Sequence, residues 1–161
     1  MADVFLSYAR GNWDEAQRIA AHLKSCGFSL WFDENLPAHR AYCDVIEEQL
    51  EAASAVVVLW SSEAVASQWV RSEANRGRER GRLVQIRIDD ARLPMPFDQL
   101  QCADLRHWDG DADSAAWRSV MAATAELTDR EIPAGAAGEA PLPTSRTGAR
   151  RRQFLFAGGA A

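Results

Sequence analysis

Eight residues in the middle of the chain, Ser54-Ala55-Val56-Val57-Val58-Leu59-Trp60-Ser61, restrict its fold more than any other stretch. Six apolar side chains follow one another without interruption between two serines. A strand with one wet face alternates apolar and polar residues. A short unbroken run rich in β-branched residues belongs instead to a strand covered on both faces, as in a parallel sheet flanked by helices. The flanking sequence agrees. Asp3 to Tyr8 and Phe28 to Phe32 are further short apolar strands. Between them Trp13, Ala16, Ile19, Ala20 and Leu23 recur at helical spacing, with Asn12 or Asp14 available as cap and Gly27 where a C-terminal cap glycine is expected.

The segment from Glu34 to Ala41 contains a proline and no periodicity and is a loop; a helix is predicted from Tyr42 to Ala53. Leu83 to Ile88 alternates, which predicts a fourth strand half-exposed or close to an edge. Pro94-Met95-Pro96 forces a loop, a short fifth strand is expected around Leu105, and Asp113 to Leu127 forms a closing amphipathic helix. Strands alternating with helices give an α/β, flavodoxin-like, doubly wound domain: a five-stranded parallel sheet with helices on both faces, over residues 1–130. Residues 131–149, rich in Pro, Gly, Ala and Thr, read as a flexible linker. The tail, residues 150–161, places three arginines before eight apolar residues. That run is too short for a bilayer, which needs ~20, so two readings stand: a terminus without a role, or the start of a truncated membrane anchor.

The formal net charge of −5 hides an asymmetry. From Pro133 onward four arginines face one glutamate, a net of +3, so the preceding region carries −8. An acidic domain is poorly suited to phosphate contacts, and nucleic acid is excluded as a partner. Cys26, Cys43 and Cys102 form no CxxC and no pattern with His22, His39 and His107, so neither a disulfide framework, nor a metal site, nor a histidine-based triad is expected. Sparse cysteine and a start that enters a strand directly, without a signal peptide, point to the cytoplasm. No G-x-G-x-x-G or P-loop is present.

After the buried third strand, a helix is predicted to carry Ser67-Gln68-Trp69-Val70-Arg71-Ser72-Glu73. Trp69 and Glu73, four apart, share one helical face near the C-terminal rim of the sheet, where open α/β sheets bind ligands. Arg76, Arg78, Arg80 and Arg82 follow, as expected of cations complementing a helix dipole.

Five segments in order resemble the TIR (Toll/interleukin-1 receptor) domain family, in particular its bacterial members. These are Asp3-Val4-Phe5-Leu6-Ser7-Tyr8-Ala9-Arg10; Leu23 to Asp33 with Gly27-Phe28 and Trp31-Phe32-Asp33; Ile46 to Leu50 running on to Ser61; Ser67 to Glu73; and Leu83 to Pro94 with Leu100-Gln101, Asp104-Leu105 and Trp108. The resemblance covers roughly residues 3–129. It departs from the family in the loop after the second strand (the BB loop), where His39 stands in place of a usual glycine.

The family divides into signalling scaffolds and enzymes that cleave NAD+ at the nicotinamide–ribose bond. Nicotinamide leaves as a neutral base, so no general acid is needed, and one carboxylate can stabilise the oxocarbenium ion. The resemblance implies Glu73 as catalytic residue, with Trp69, Tyr8, Arg10, Phe32 and Asp33 binding substrate, NAD+ as substrate rather than cofactor, and other TIR domains as partners. It implies a cytoplasmic location, tethered to a membrane only through a C-terminal extension. Structural alternatives stand beside these roles: Glu73 as a surface acid paired with Arg76, Trp69 and Phe32 as packing residues, Arg10 as a solvated charge, Asp33 as a loop organiser. A non-catalytic scaffold is the alternative function. A phosphate-receiver domain is excluded, because no aspartate ends the third strand.

Overall fold

The computed structural model describes residues 2–32 and 42–131. Five strands, β1 (Val4–Ser7), β2 (Leu30–Trp31), β3 (Ala55–Trp60), β4 (Leu83–Arg87) and β5 (Ala103–Asp104), form one sheet in the order β2-β1-β3-β4-β5. All four pairings are parallel, with Val4 opposite Leu30 and Ala55, and Trp60 opposite Arg87. Around it lie α1 (Trp13–Ser25), α2 (Tyr42–Ala52), α3 (Ser62–Ala66), α4 (Gln68–Glu79) and α5 (Ala115–Thr128). This is the predicted flavodoxin-like architecture.

The continuous apolar run of β3 is explained by the layering. Ala55, Val57 and Leu59 join Val4, Leu6, Val84 and Ile86 in a core shared with Ile19 and Leu23 of α1 and Trp117, Val120 and Met121 of α5. Val56, Val58 and Trp60 join Phe5 in a second core with Ile46 and Leu50 of α2 and Val70 and Ala74 of α4. Every β3 side chain is buried because each alternate face has its own helical layer. On the second face α4 approaches very closely: a β-carbon on Gly77 would lie 2.9 Å from Cβ of Val56.

Several local expectations change. The helix after β3 is two helices, broken where Ser67 adopts extended backbone. Ser61 and Ser67 each cap the helix that follows, accepting from Ala64 N–H at 3.0 Å and Val70 N–H at 3.3 Å. Strand β4 lies next to the edge, as expected, but is not half-exposed: Val84, Gln85 and Ile86 are all buried. Gln85 mimics an exposed position because it is polar, yet its amide is fully used. Its Oε1 accepts from the Trp60 indole at 2.9 Å, and its Nε2 donates to the carbonyls of Phe97 (3.2 Å) and Gln101 (3.1 Å). Neither Asn12 nor Asp14 caps α1 through its side chain. Asn12 has no capping bond, and Asp14 lies inside the first turn. Gly27, by contrast, takes the expected left-handed conformation (φ +92°) after α1.

The arginines at the end of α4 and just beyond it do more than complement a dipole. Arg76 reaches Glu47 at 2.7 Å and Glu51 at 3.2 Å, Arg80 also pairs with Glu51, and Arg82 donates to the carbonyl of Ala53 at 2.8 Å. They fasten α4 to α2 and its end. The 150–161 tail and all but the first residue of the 131–149 linker lie outside the described residues. Among the described residues no helix is long and apolar enough to cross a membrane.

Candidate active site

In the order β2-β1-β3-β4-β5 the chain leaves β1 toward β2 and leaves its neighbour β3 toward β4, in opposite lateral directions. Connections diverge there and open a crevice beyond the strand ends. A cleft of about 440 Å³ occupies this position. Its floor and walls come from the end of β1 and the residues after it (Ser7 to Arg10), from Trp31 of β2, and from α3 and α4.

Glu73 lies at the floor, buried at 7% exposure. It is the only buried acid among the described residues. The Ser7 hydroxyl, itself buried, donates a short hydrogen bond to Oε2 of Glu73 across 66 residues of sequence. The reading of Glu73 as a surface acid is thus corrected, and Arg76 is directed to α2 instead. Trp69, one turn earlier on α4, lines the same cleft and is 43% exposed, so it is not a core residue. A smaller groove of about 230 Å³ between α2 and α4 also reaches Trp69 and Glu73.

Tyr8 and Arg10 line the cleft as well, Tyr8 half-buried and Arg10 exposed at the mouth. Phe32 does not line it. Strand alternation turns Phe32 into the first core, where its ring lies 6.4 Å from Tyr8 and 5.7 Å from Trp13 with the Lys24 ammonium 4.9 Å above it. The aromatic that β2 gives to the cleft is Trp31, stacked on Phe5 at 4.9 Å. Asp33 and His39 lie outside the described residues.

Among the lining residues that sequence reasoning did not name, Trp31, Ser7 and Glu63 bear on the chemistry. Trp31 was visible as one of an alternating pair whose phase the sequence left open. Ser7 had a signal: a polar residue ending a strand predicted to be covered on both faces. Glu63, on α3, gives the cleft a second carboxylate, where the sequence reading counted one. It accepts a hydrogen bond from Gly11 N–H at 3.2 Å.

Hydrogen bonds lock the rim. Ser61 Oγ donates to Asn12 Oδ1 at 2.6 Å, which ties the loop after β1 to the start of α3. Asp89, after β4, accepts from the backbone N–H and hydroxyl of Ser62 (2.8 and 3.0 Å) and from Ala91 N–H (2.8 Å). Burial raises the Asp89 carboxyl, but the three donated bonds outweigh it and leave the group below its ordinary value. No group of histidine, cysteine and acidic residues among those described is arranged to hold a metal ion.

The family model described as TIR domain matches residues 4–121. No curated protein sequence matches the chain. Solved structures resemble it in fold. The TIR domain of the Toll-related receptor TRR-2 from Hydra magnipapillata superposes with a TM-score of 0.67 at 14% identity, covering 77% of this chain and 98% of that one. A TIR-STING receptor from C. gigas in complex with 2',3'-cGAMP gives 0.60 at 19% identity, over 77% of this chain and 39% of the receptor. The TIR domains of the activated Roq1 resistosome, which recognises the pathogen effector XopQ, give 0.59 at 14% identity, covering 76% and 98%.

Proposed function

The chain belongs to the TIR domain family, and on that footing we propose that it is an NAD+ glycohydrolase, cleaving the nicotinamide–ribose bond in bacterial defence or cell-death signalling. One observation carries the reading: a buried glutamate, held by a serine hydroxyl, at the floor of the cleft between β1 and β3. As the C1′–N bond lengthens, its electron pair neutralises the pyridinium and positive charge moves onto the ribose. A fixed carboxylate beneath the sugar is worth most at that moment, because the charge it faces develops in the transition state. Trp69 and Trp31 provide flat walls for an aromatic ring, and Arg10 at the mouth suits the anionic pyrophosphate. The cleft thus offers a negative floor to the cationic end of the substrate and one guanidinium, Arg10, at the mouth to its anionic middle. NAD+ is here a substrate; the cytoplasm, where it is abundant, is the site of action.

The test is nicotinamide release from NAD+ by the full chain, at low and high protein concentration, beside Glu73→Gln. Turnover lost in the variant supports the reading; turnover that survives the substitution overturns it. A second reading, a non-catalytic module joining other TIR domains, is favoured by Met95 and Leu100, which stand 80% and 43% exposed beyond β4. Self-association without NAD+ consumption at high concentration would select it.

A further inference from the structure

Cleavage leaves a ribosyl cation, and what captures it decides the product. We propose that Glu63 is the general base that delivers water to this cation; this rests on the glycohydrolase reading. Four observations support the assignment. Glu63 lines the same cleft as Glu73, but from the opposite condition: Glu63 is exposed at the rim, Glu73 buried at the floor.

Its carboxylate is anchored at one oxygen only. Oε2 accepts the Gly11 N–H, and among the described residues Oε1 has no hydrogen-bond partner and Glu63 forms no ion pair. That leaves one oxygen for a water molecule. The carboxylate lies flat over Gly11, where a β-carbon would sit 2.3 Å from Oε2 and 2.5 Å from Oε1, so the missing side chain lets both oxygens fold down onto the loop. The helix that carries it is held at its start from both sides, by Ser61 to Asn12 and by Asp89 to Ser62.

The geometry suits the chemistry. A cleft of about 440 Å³ is on the order of 10 Å across, wide enough for carboxylates on floor and rim to flank a sugar with water between. In the step, a water oxygen forms the bond to C1′ while one water proton passes to Glu63 and later to solvent. The C1′–N electron pair has already left with nicotinamide. Glu73 faces the cation and takes no proton.

A pyridine nucleophile separates the two roles. The nitrogen lone pair of 3-acetylpyridine attacks C1′ without losing a proton, so exchange of nicotinamide for this base needs Glu73 and no general base. The full chain is incubated with NAD+ and 3-acetylpyridine, and ADP-ribose and the exchanged dinucleotide are quantified for wild type, Glu63→Gln, Glu63→Asp and Glu73→Gln. Exposure of Glu63 makes its variants fold, and a thermal melt verifies it. General bases contribute about 10²–10⁴-fold, so the ratio of hydrolysis to exchange is expected to fall at least ~10-fold in Glu63→Gln, less in Glu63→Asp, with exchange retained. Glu73→Gln loses both products. An unchanged ratio in Glu63→Gln, or hydrolysis and exchange falling together, overturns the assignment while leaving Glu73 in place. A wild type that releases no nicotinamide overturns both readings.

Discussion

Replacing Ser7 by alanine removes one hydroxyl from the floor of the cleft and nothing from its walls. In the wild type that hydroxyl donates to Oε2 of Glu73 where both groups are buried. A hydrogen bond to a charged group contributes about 1.5–3 kcal/mol, more than a neutral pair, because the ionised acceptor draws the donor more strongly. If its loss falls on the transition state, at 1.36 kcal/mol per decade, turnover drops roughly 10- to 150-fold. On the glycohydrolase reading the loss should appear in kcat, since the bond would fix the carboxylate beneath a charge that exists only as the glycosidic bond breaks, and KM should move little.

Initial rates of nicotinamide release across NAD+ concentrations separate the two. Ser7→Thr keeps the hydroxyl in a strand that favours β-branched residues and should recover most of the rate. Stability provides a readout independent of activity. In urea melts, Ser7→Ala, Glu73→Gln and the double variant should show a coupling of ~1 kcal/mol, as contacting residues do. A Ser7→Ala protein with kcat within a factor of two of wild type and no coupling to Glu73 would refute the positioning argument.

Gly77→Ala should lower stability by about 1 kcal/mol in urea melts: helix propensity gains about 1, but the new methyl meets Cβ of Val56 at 2.9 Å in the middle of the sheet, and overpacking costs about 1–3. Gln85→Ala leaves the Trp60 indole and two loop carbonyls without their partner, for a loss of about 2–4 kcal/mol with increased exchange of the Phe97–Gln101 amides. Trp69→Ala should leave the melting temperature nearly unchanged, because the indole is half in solvent, while KM for NAD+ rises; a large fall in stability with KM unchanged would return Trp69 to packing. Asp104 is held well below the usual carboxylate range, first by the Arg106 side chain against the upward push of burial, then by the Arg106 backbone and Arg87. Its folded form binds fewer protons than the unfolded chain, so its stabilisation is whole above about pH 4 and is lost as pH falls further. Asp104→Asn should flatten acid unfolding there by less than ~1 kcal/mol, since the side chain is 43% exposed.

The parts of the fold legible in the sequence were those written in hydrophobic pattern. The unbroken run of β3 declared two covered faces, and the periods of α1, α2 and α5 placed the helices. Polar side chains misled where they had private partners. Gln85 looked like a solvent position because no local rule reveals that an indole and two carbonyls converge on it. The break at Ser67 was hidden because one helix and two capped helices share a composition, and only the serine spacing hinted at the difference. At the site, the i, i+4 relation of Trp69 and Glu73 was local and therefore readable. The phase of Trp31 against Phe32 depends on which face of the sheet each core occupies. Glu63 enters the cleft through contacts 49 and 52 residues distant in sequence, which spacing alone does not encode.

The choice between enzyme and scaffold turns on what the interior tolerates. Five polar side chains are buried in the described residues: Ser7, Ser61, Glu73, Gln85 and Thr124. Taking a polar group out of water costs free energy that its bonds only partly return, so each needs a reason. Ser61 caps α3 and holds Asn12; Gln85 anchors the loop beyond β4; the Thr124 hydroxyl donates to the carbonyl of Val120 within its own helix. Packing accounts for these three. It does not account for Ser7 and Glu73, which meet each other at the open end of the sheet. On the glycohydrolase reading, a carboxylate kept at that cost, with a hydroxyl to aim it and a cleft above it, serves chemistry rather than packing.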